Sequence, residues 1–183
     1  ITKNQNMNIK TYIGAFLGVN LTMLILTYII LALDGSSPSL AFNTAVSFVT
    51  NTNLQHYSGE WLNGTMSRLA LINLMFTSAA SGLAASLAII SGILKISLGS
   101  FFEDLVKSIT RLLLPLSIIA AIILVILGIP QTFNTQAVVK TLEGQYQVLT
   151  LGPSAAWEAI KHLGTNGGGI FSANSSHPFV PRC

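Results

Sequence analysis

The sequence predicts an all-α integral membrane fold, in which spanning helices alternate with half-length helices that dip into the bilayer. Three observations predict it. Charge is scarce: nine Lys/Arg and six Asp/Glu make up 8% of 183 residues, against about 25% in a soluble domain. Hydrophobic residues make up 51% and the mean hydropathy is +0.65, too apolar for a solvated globule or a disordered chain. The apolar residues also fall into long uncharged runs and two short ones, and the short ones resemble each other. The net charge of +3 forms no basic stripe of the kind a nucleic acid would need. A single cysteine, Cys183, excludes an internal disulfide and a cysteine zinc site. The chain starts at Ile1 without a charged-then-apolar leader, as expected for part of a longer protein.

The first long run is Tyr12–Leu33. Its roughly 22 residues rise about 33 Å as a helix, enough for a hydrocarbon core of about 30 Å. The second, Leu69–Leu94, is long enough to cross with tilt. Ser78, Gly82 and Ser86 make a small-residue ridge along it, as do Ala84, Ala88 and Gly92, a pattern that lets helix backbones approach closely in lipid. The third run, Leu112–Ile129, follows Arg111 and contains Pro115 in its first turns. Lys and Arg set the orientation. Lys3 and Lys10 flank the first run, Lys95, Lys107 and Arg111 fill the connection between the second and third, and residues 34–67 carry neither type. The N-terminal tail and residues 95–111 are therefore expected in the cytoplasm, and residues 34–65 and 130–161 outside. Phe101–Lys107 reads as a short amphipathic helix at the interface.

Between the first two runs lies the apolar stretch Ser39–Val49. It would cover only about 16 Å as a helix, half a bilayer. Pro38 suits its first helical position. Thr50-Asn51-Thr52-Asn53 follows with no apolar character, so the chain must return as irregular backbone, which membranes tolerate only where protein buries it or it lines a cavity. The pattern recurs after the third run. Pro38, Ser39, Ala41, Thr50 and Asn51 reappear as Pro153, Ser154, Ala156, Thr165 and Asn166, with Phe42 replaced by Trp157. The order is helix, half-helix, loop, helix, then helix, half-helix, loop. Internal repeats of this kind mark ion and substrate sites in transporters.

A half-helix entering from outside points its C-terminus, with about half a negative charge, at the membrane centre. The loops add backbone carbonyls and the neutral oxygens of Thr and Asn. Such ligands suit a weakly hydrated monovalent cation. Calcium or magnesium would call for Asp or Glu. Gly167-Gly168-Gly169 allows the backbone to come close to an ion. A phosphate loop would end in Gly-Lys-Ser/Thr, whereas Ile170-Phe171 follows here.

These loop residues resemble a known family. Val46-Ser47-Phe48-Val49-Thr50-Asn51-Thr52-Asn53-Leu54-Gln55, with Tyr57-Ser58-Gly59-Glu60, is similar to the first selectivity-filter region of the potassium-binding A subunits of bacterial Kdp potassium-transporting ATPases. Glu158-Ala159-Ile160-Lys161, Leu163 to Gly169 and Ala173 to Phe179 are similar to the second. The resemblance implies the helix–pore helix–helix architecture of the potassium channel and transporter superfamily. Four such repeats surround one filter, of which this chain would hold about one and a half: residues 1–95, a cytoplasmic connection 96–111, and an incomplete second repeat 112–183. It implies a potassium filter at Thr50, Asn51, Thr52, Asn53 and Gln55, and at Thr165, Asn166, Gly167, Gly168 and Gly169. It further implies a bacterial inner-membrane subunit that takes external K+ and passes it through an intramembrane tunnel. The partners would be a P-type ATPase subunit, which handles ATP and Mg2+, and small accessory membrane subunits; no organic cofactor and no nucleic acid are expected. Leu54, His56, Ile170 and Ser172 depart from residues usual in the family, and Val180–Cys183 does not continue its pattern.

Other readings compete. A potassium channel or symporter subunit would share the dips and the glycines without using ATP, and a truncated chain would not conduct. A membrane scaffold would have no ion path. His56, Ser58 and Glu60 supply the residue types of a hydrolase, but a loop gives them no fixed geometry and there is no nucleophile elbow. His162 and His177 lack metal spacing, and Asn20 and Asn73 suit hydrogen bonds between helices.

Overall fold

The computed structural model describes residues 6–57, 64–171, 173, 176 and 177. Lys3, Ser58, Gly59, Glu60, Ser172, Pro178, Phe179 and the Val180–Cys183 tail lie outside them. Helix α1 runs Ile9–Leu33. Asn8 starts it, its side-chain oxygen accepting from Thr11 N–H at 2.8 Å, which satisfies a backbone donor that the first turn leaves without a partner. Half-helix α2 is Pro38–Val49, with Pro38 at its N-terminus. Helix α3 is Thr65–Ile93, and α4 is Phe101–Lys107. A π-helical turn over Ser108–Leu113 joins α4 to α5, Leu114–Ile126. Strands β1, Gln136–Lys140, and β2, Tyr146–Thr150, precede half-helix α6, Ser154–Leu163.

Among the described residues, three helices are long and apolar enough to cross a membrane: Ile9–Leu33, Thr65–Ile93 and Phe101–Ile126. The third begins at Phe101, well before the apolar run at Leu112. Nothing between Lys107 and Leu114 breaks the helix, so the amphipathic α4 continues into the span. Pro115 has no N–H, and its ring crowds the carbonyl four residues back. The π-turn directly before it widens the helix where that conflict falls.

Helix α3 is the centre of the packing. Leu71, Leu74, Met75, Ala80 and Ala84 are buried along it. Tyr12 crosses from α1, its single hydroxyl hydrogen shared between Ala84 O at 2.8 Å and Asp104 Oδ2 at 3.0 Å. Phe101 closes this end with edge contacts to Tyr12 and Phe16, at 5.5 and 5.7 Å between ring centres. Asn20, inside the first span, donates to Phe16 O at 2.8 Å. Exposed Ile and Leu cover the outer faces of α1 and α5, as a lipid-facing or partner-facing surface requires.

The chain before α6 departs from an all-α layout. β1 and β2 pair antiparallel from Gln136↔Thr150 to Lys140↔Tyr146. The turn at Thr141–Gln145 is closed by Thr141 N–H donating to Gln145 O at 2.8 Å, and Glu143 is exposed on it. The hairpin is anchored where it rejoins the bundle: Arg68, 1% exposed at the start of α3, donates to Leu151 O.

Candidate functional site

The two half-helices end in the same way. α2 stops at Thr50 (φ −82°, ψ 4°), followed by Asn51 in the left-handed region at φ 59°. α6 stops at Gly164 (φ −86°, ψ 2°), followed by Thr165 at φ 57°. One residue later the backbone folds back: Thr52 N–H donates to Ser47 O and Asn166 N–H to Lys161 O, each at 3.0 Å. These bonds satisfy the last carbonyls of each helix and reverse the chain. The equivalence is therefore Asn51 with Thr165 and Thr52 with Asn166. The identities in the sequence pair Thr50 with Thr165 instead. The registers differ by one residue because α6 ends one position earlier relative to its proline. A left-handed β-branched threonine is an uncommon conformation, and Asn53 repeats the left-handed turn at φ 52°.

The two loops touch each other. Asn51 Nδ2 donates to Gly164 O at 3.1 Å and to Thr165 Oγ1 at 3.4 Å. Asn166 Nδ2 donates to Asn51 Oδ1, and to Asn53 Oδ1 at 3.4 Å. Gln55 pairs with the backbone of Gly169 in both directions: its Nε2 donates to Gly169 O at 3.1 Å, and Gly169 N–H donates to its Oε1 at 3.2 Å. At Gly167 the approach is close. A Cβ there would lie 3.5 Å from Asn53 O and 3.7 Å from Thr52 O. Gly168 is closer still to its surroundings, since a Cβ would fall 2.7 Å from Phe48 Cζ. All ten residues singled out in the sequence thus belong to one cluster. Thr50, Thr52, Thr165 and Gly167 are its exposed members, and the Thr50 and Thr52 hydroxyls lie 3.0 Å apart.

Several residues that the sequence does not assign to the filter also join the cluster. Trp157 Nε1 donates to Gly168 O at 2.8 Å and its ring meets Phe48 edge-on at 6.3 Å. Ser47 Oγ accepts from Leu54 N–H at 2.7 Å. Ser78 of α3 donates to Asn51 Oδ1 at 3.1 Å. Lys161 and Glu158, 6% and 2% exposed, form an ion pair of 3.0 Å inside α6, with His162 Nε2 3.7 Å from the same carboxylate oxygen. His177 stacks on Phe171 at 3.9 Å. Burial pushes the Tyr57 phenol above its usual range. Among the described residues no group of three or more His, Cys, Asp or Glu is assembled to hold a metal ion. The donors gathered here are neutral oxygens, which suit a monovalent cation without a carboxylate cage.

Comparison with known proteins accords with this geometry. A family profile described as "Potassium-transporting ATPase A subunit" (KdpA) matches residues 1–181. The chain is 50% identical to a potassium-transporting ATPase potassium-binding subunit of Caldanaerobacter subterraneus, over 98% of its own length and 34% of the relative's. It is 48% identical to the subunit of that name in Geobacillus kaustophilus, over 96% and 34%. It is 43% identical to that of Flavobacterium johnsoniae, over 97% and 34%. The chain thus spans about a third of the length of the curated relatives it matches. The shared sequence runs through both half-helices and both loops, and on that match this chain belongs to the family of potassium-transporting ATPase A subunits.

Proposed function

We propose that this chain supplies two filter segments of the potassium-binding subunit in an ATP-driven potassium uptake system. The observation that carries the reading is the meeting of two half-helix C-termini, whose loops are hydrogen-bonded to one another around neutral oxygens. Each C-terminus contributes negative potential from its helix dipole. Backbone oxygens of Thr50, Asn51, Thr52 and Asn53, and of Thr165, Asn166 and Gly167, replace part of the hydration shell of K+. Gln55, Gly168 and Gly169 frame them. Potassium is the cargo. The chain itself performs no catalysis; a P-type ATPase subunit receives the ion through an intramembrane tunnel and hydrolyses ATP with Mg2+. Small accessory membrane subunits complete the complex. The assembly sits in the bacterial cell membrane, with the filter loops facing out and the N-terminal tail and residues 95–111 in the cytoplasm.

The test uses the exposed hairpin between Gln131 and Gln147. An antibody to it, applied to membranes of potassium-starved cells, is expected to recover a P-type ATPase whose ATP hydrolysis K+ stimulates. In that complex Gly168→Asp is expected to raise the half-saturating K+ concentration by about a hundredfold, because it forces a charged side chain against Phe48 in a packed site. Recovery of the chain without an ATPase, or K+ dependence untouched by Gly168→Asp, would refute the proposal.

A further inference from the structure

By its spacing Ser78 belongs to a small-residue ridge with Gly82 and Ser86, where it would serve only to let helices approach. The ridge does not work as a unit. Gly82 and Ser86 are exposed, and Ser86 donates to Gly82 O on its own helix at 2.9 Å. Ser78 is 5% exposed and faces the two loops. Its hydroxyl donates to Asn51 Oδ1 at 3.1 Å and lies 3.5 Å from Asn166 Nδ2.

The Asn51 carboxamide is fully engaged by these contacts. Its nitrogen has two hydrogens, which go to Gly164 O and Thr165 Oγ1. Its oxygen has two lone pairs, which are taken by Ser78 Oγ and Asn166 Nδ2. No lone pair of that side chain is left for an ion. Asn51 is therefore a strut between the loops and not a side-chain ligand, and α3 holds the strut through one hydroxyl. Without that hydroxyl, half of the acceptor capacity of Asn51 is vacant inside the site. The amide is then free to swing, and the two loops lose their fixed spacing.

We infer that Ser78 is a positioning residue for the cation filter: its hydroxyl fixes the Asn51 carboxamide, and through it the separation of the two loops that decides which monovalent cation is accepted. This rests on the filter reading proposed above. A packing role makes the opposite prediction, because alanine is as small as serine and forms helix better.

The test is K+- and Rb+-stimulated ATP hydrolysis by the assembled complex carrying Ser78→Ala, with Ser86→Ala and Gly168→Asp alongside. Ser78→Ala is expected to lower the preference for K+ over Rb+ by about tenfold, a change that one buried hydrogen bond can supply. It should leave the rate at saturating K+ within about twofold, because the strut acts on binding and not on turnover. Ser78→Cys, of similar size but a weaker donor, is expected to fall between serine and alanine, and it carries the test if Ser78→Ala fails to assemble. Ser86→Ala should change nothing. An unchanged ion preference in Ser78→Ala, while Gly168→Asp loses K+ affinity, overturns the role of Ser78 and leaves the filter standing. A lower yield with the same ion preference also overturns it, by reducing Ser78 to a stability residue. If Gly168→Asp is silent too, the filter reading falls first.

Discussion

In the first half-helix unit α2 turns through Thr50 and Asn51; in the second α6 turns through Gly164 and Thr165, with nearly the same dihedral angles at both positions. The side chains that hold these paths are different. In the first loop Leu54 N–H is held by Ser47 Oγ at 2.7 Å. At the equivalent place in the second, Gly168 O is held by Trp157 Nε1 at 2.8 Å. Beyond the backbone reversals, one side chain ties each loop to its own half-helix, Ser47 chiefly through a backbone donor and Trp157 through a backbone acceptor. The positions equivalent to Glu158 and Lys161 are Thr44 and Ser47, both buried and neutral. A repeated trace thus constrains where the backbone must be reversed and anchored. It leaves the choice of anchoring atoms to the local packing.

The largest expected asymmetry lies in the buried charges. Glu158→Gln should destabilise the complex by about 3–5 kcal/mol, because it removes the carboxylate paired with the buried Lys161 ammonium. Thr44→Val at the equivalent site should cost less than about 1 kcal/mol. Thermal unfolding of the two variants measures the gap, and equal losses would mean that the units are anchored alike.

A middle-sized effect is expected from the paired anchors. Trp157→Phe keeps a ring against Phe48 but strips Gly168 O of its donor, at about 1–3 kcal/mol. Ser47→Ala strips Leu54 N–H and belongs in the same range. Hydrogen exchange at the Leu54 amide separates them: it should speed up in Ser47→Ala and stay slow in Trp157→Phe.

The smallest effect has opposite signs in the two units. Thr165→Gly relieves a left-handed threonine, offset in part by loss of the long 3.4 Å contact from Asn51 Nδ2 to its hydroxyl and by glycine's entropy, and is expected to stabilise by less than about 1 kcal/mol. Asn51→Gly adopts the same φ with no strain, yet loses the hydrogen bonds to Gly164, Thr165, Ser78 and Asn166 and should destabilise. Thermal midpoints moving the same way in both variants would mean that the backbone, not the carboxamide, dominates the first loop.

Much of this was legible beforehand. The spans at α1 and α3 follow from uncharged runs whose length matches a bilayer, and α2 and α6 follow from runs too short to match it. The ten loop residues were found from the repeat and from motif resemblance, and they form one cluster. The register of the repeat was legible only to within one residue, because Thr-Asn recurs one position away from the structural match. The third span started earlier than its apolar run, since helical continuity through Lys107 depends on the absence of a breaker and not on hydropathy. The hairpin at Gln136–Thr150 does not show in the hydropathy: its strands are half polar and short, and apolar counting takes no account of cross-strand pairing. Spacing along one helix assigns Ser78 only a spacer's role, because it says nothing about the loop that lies across it.

By itself the sequence determined which segments are long and apolar enough to cross a membrane, which are too short, and the kinds of oxygen available after the short ones. Those properties depend on length, hydropathy and residue type, which are local. Tertiary structure alone decided which oxygens remain available. Asn51 looks like a ligand in isolation and becomes a strut once Ser78, Thr165 and Asn166 arrive from three other parts of the chain. A carboxamide has four hydrogen-bonding positions, and whether any is left over is settled only when all its neighbours are in place.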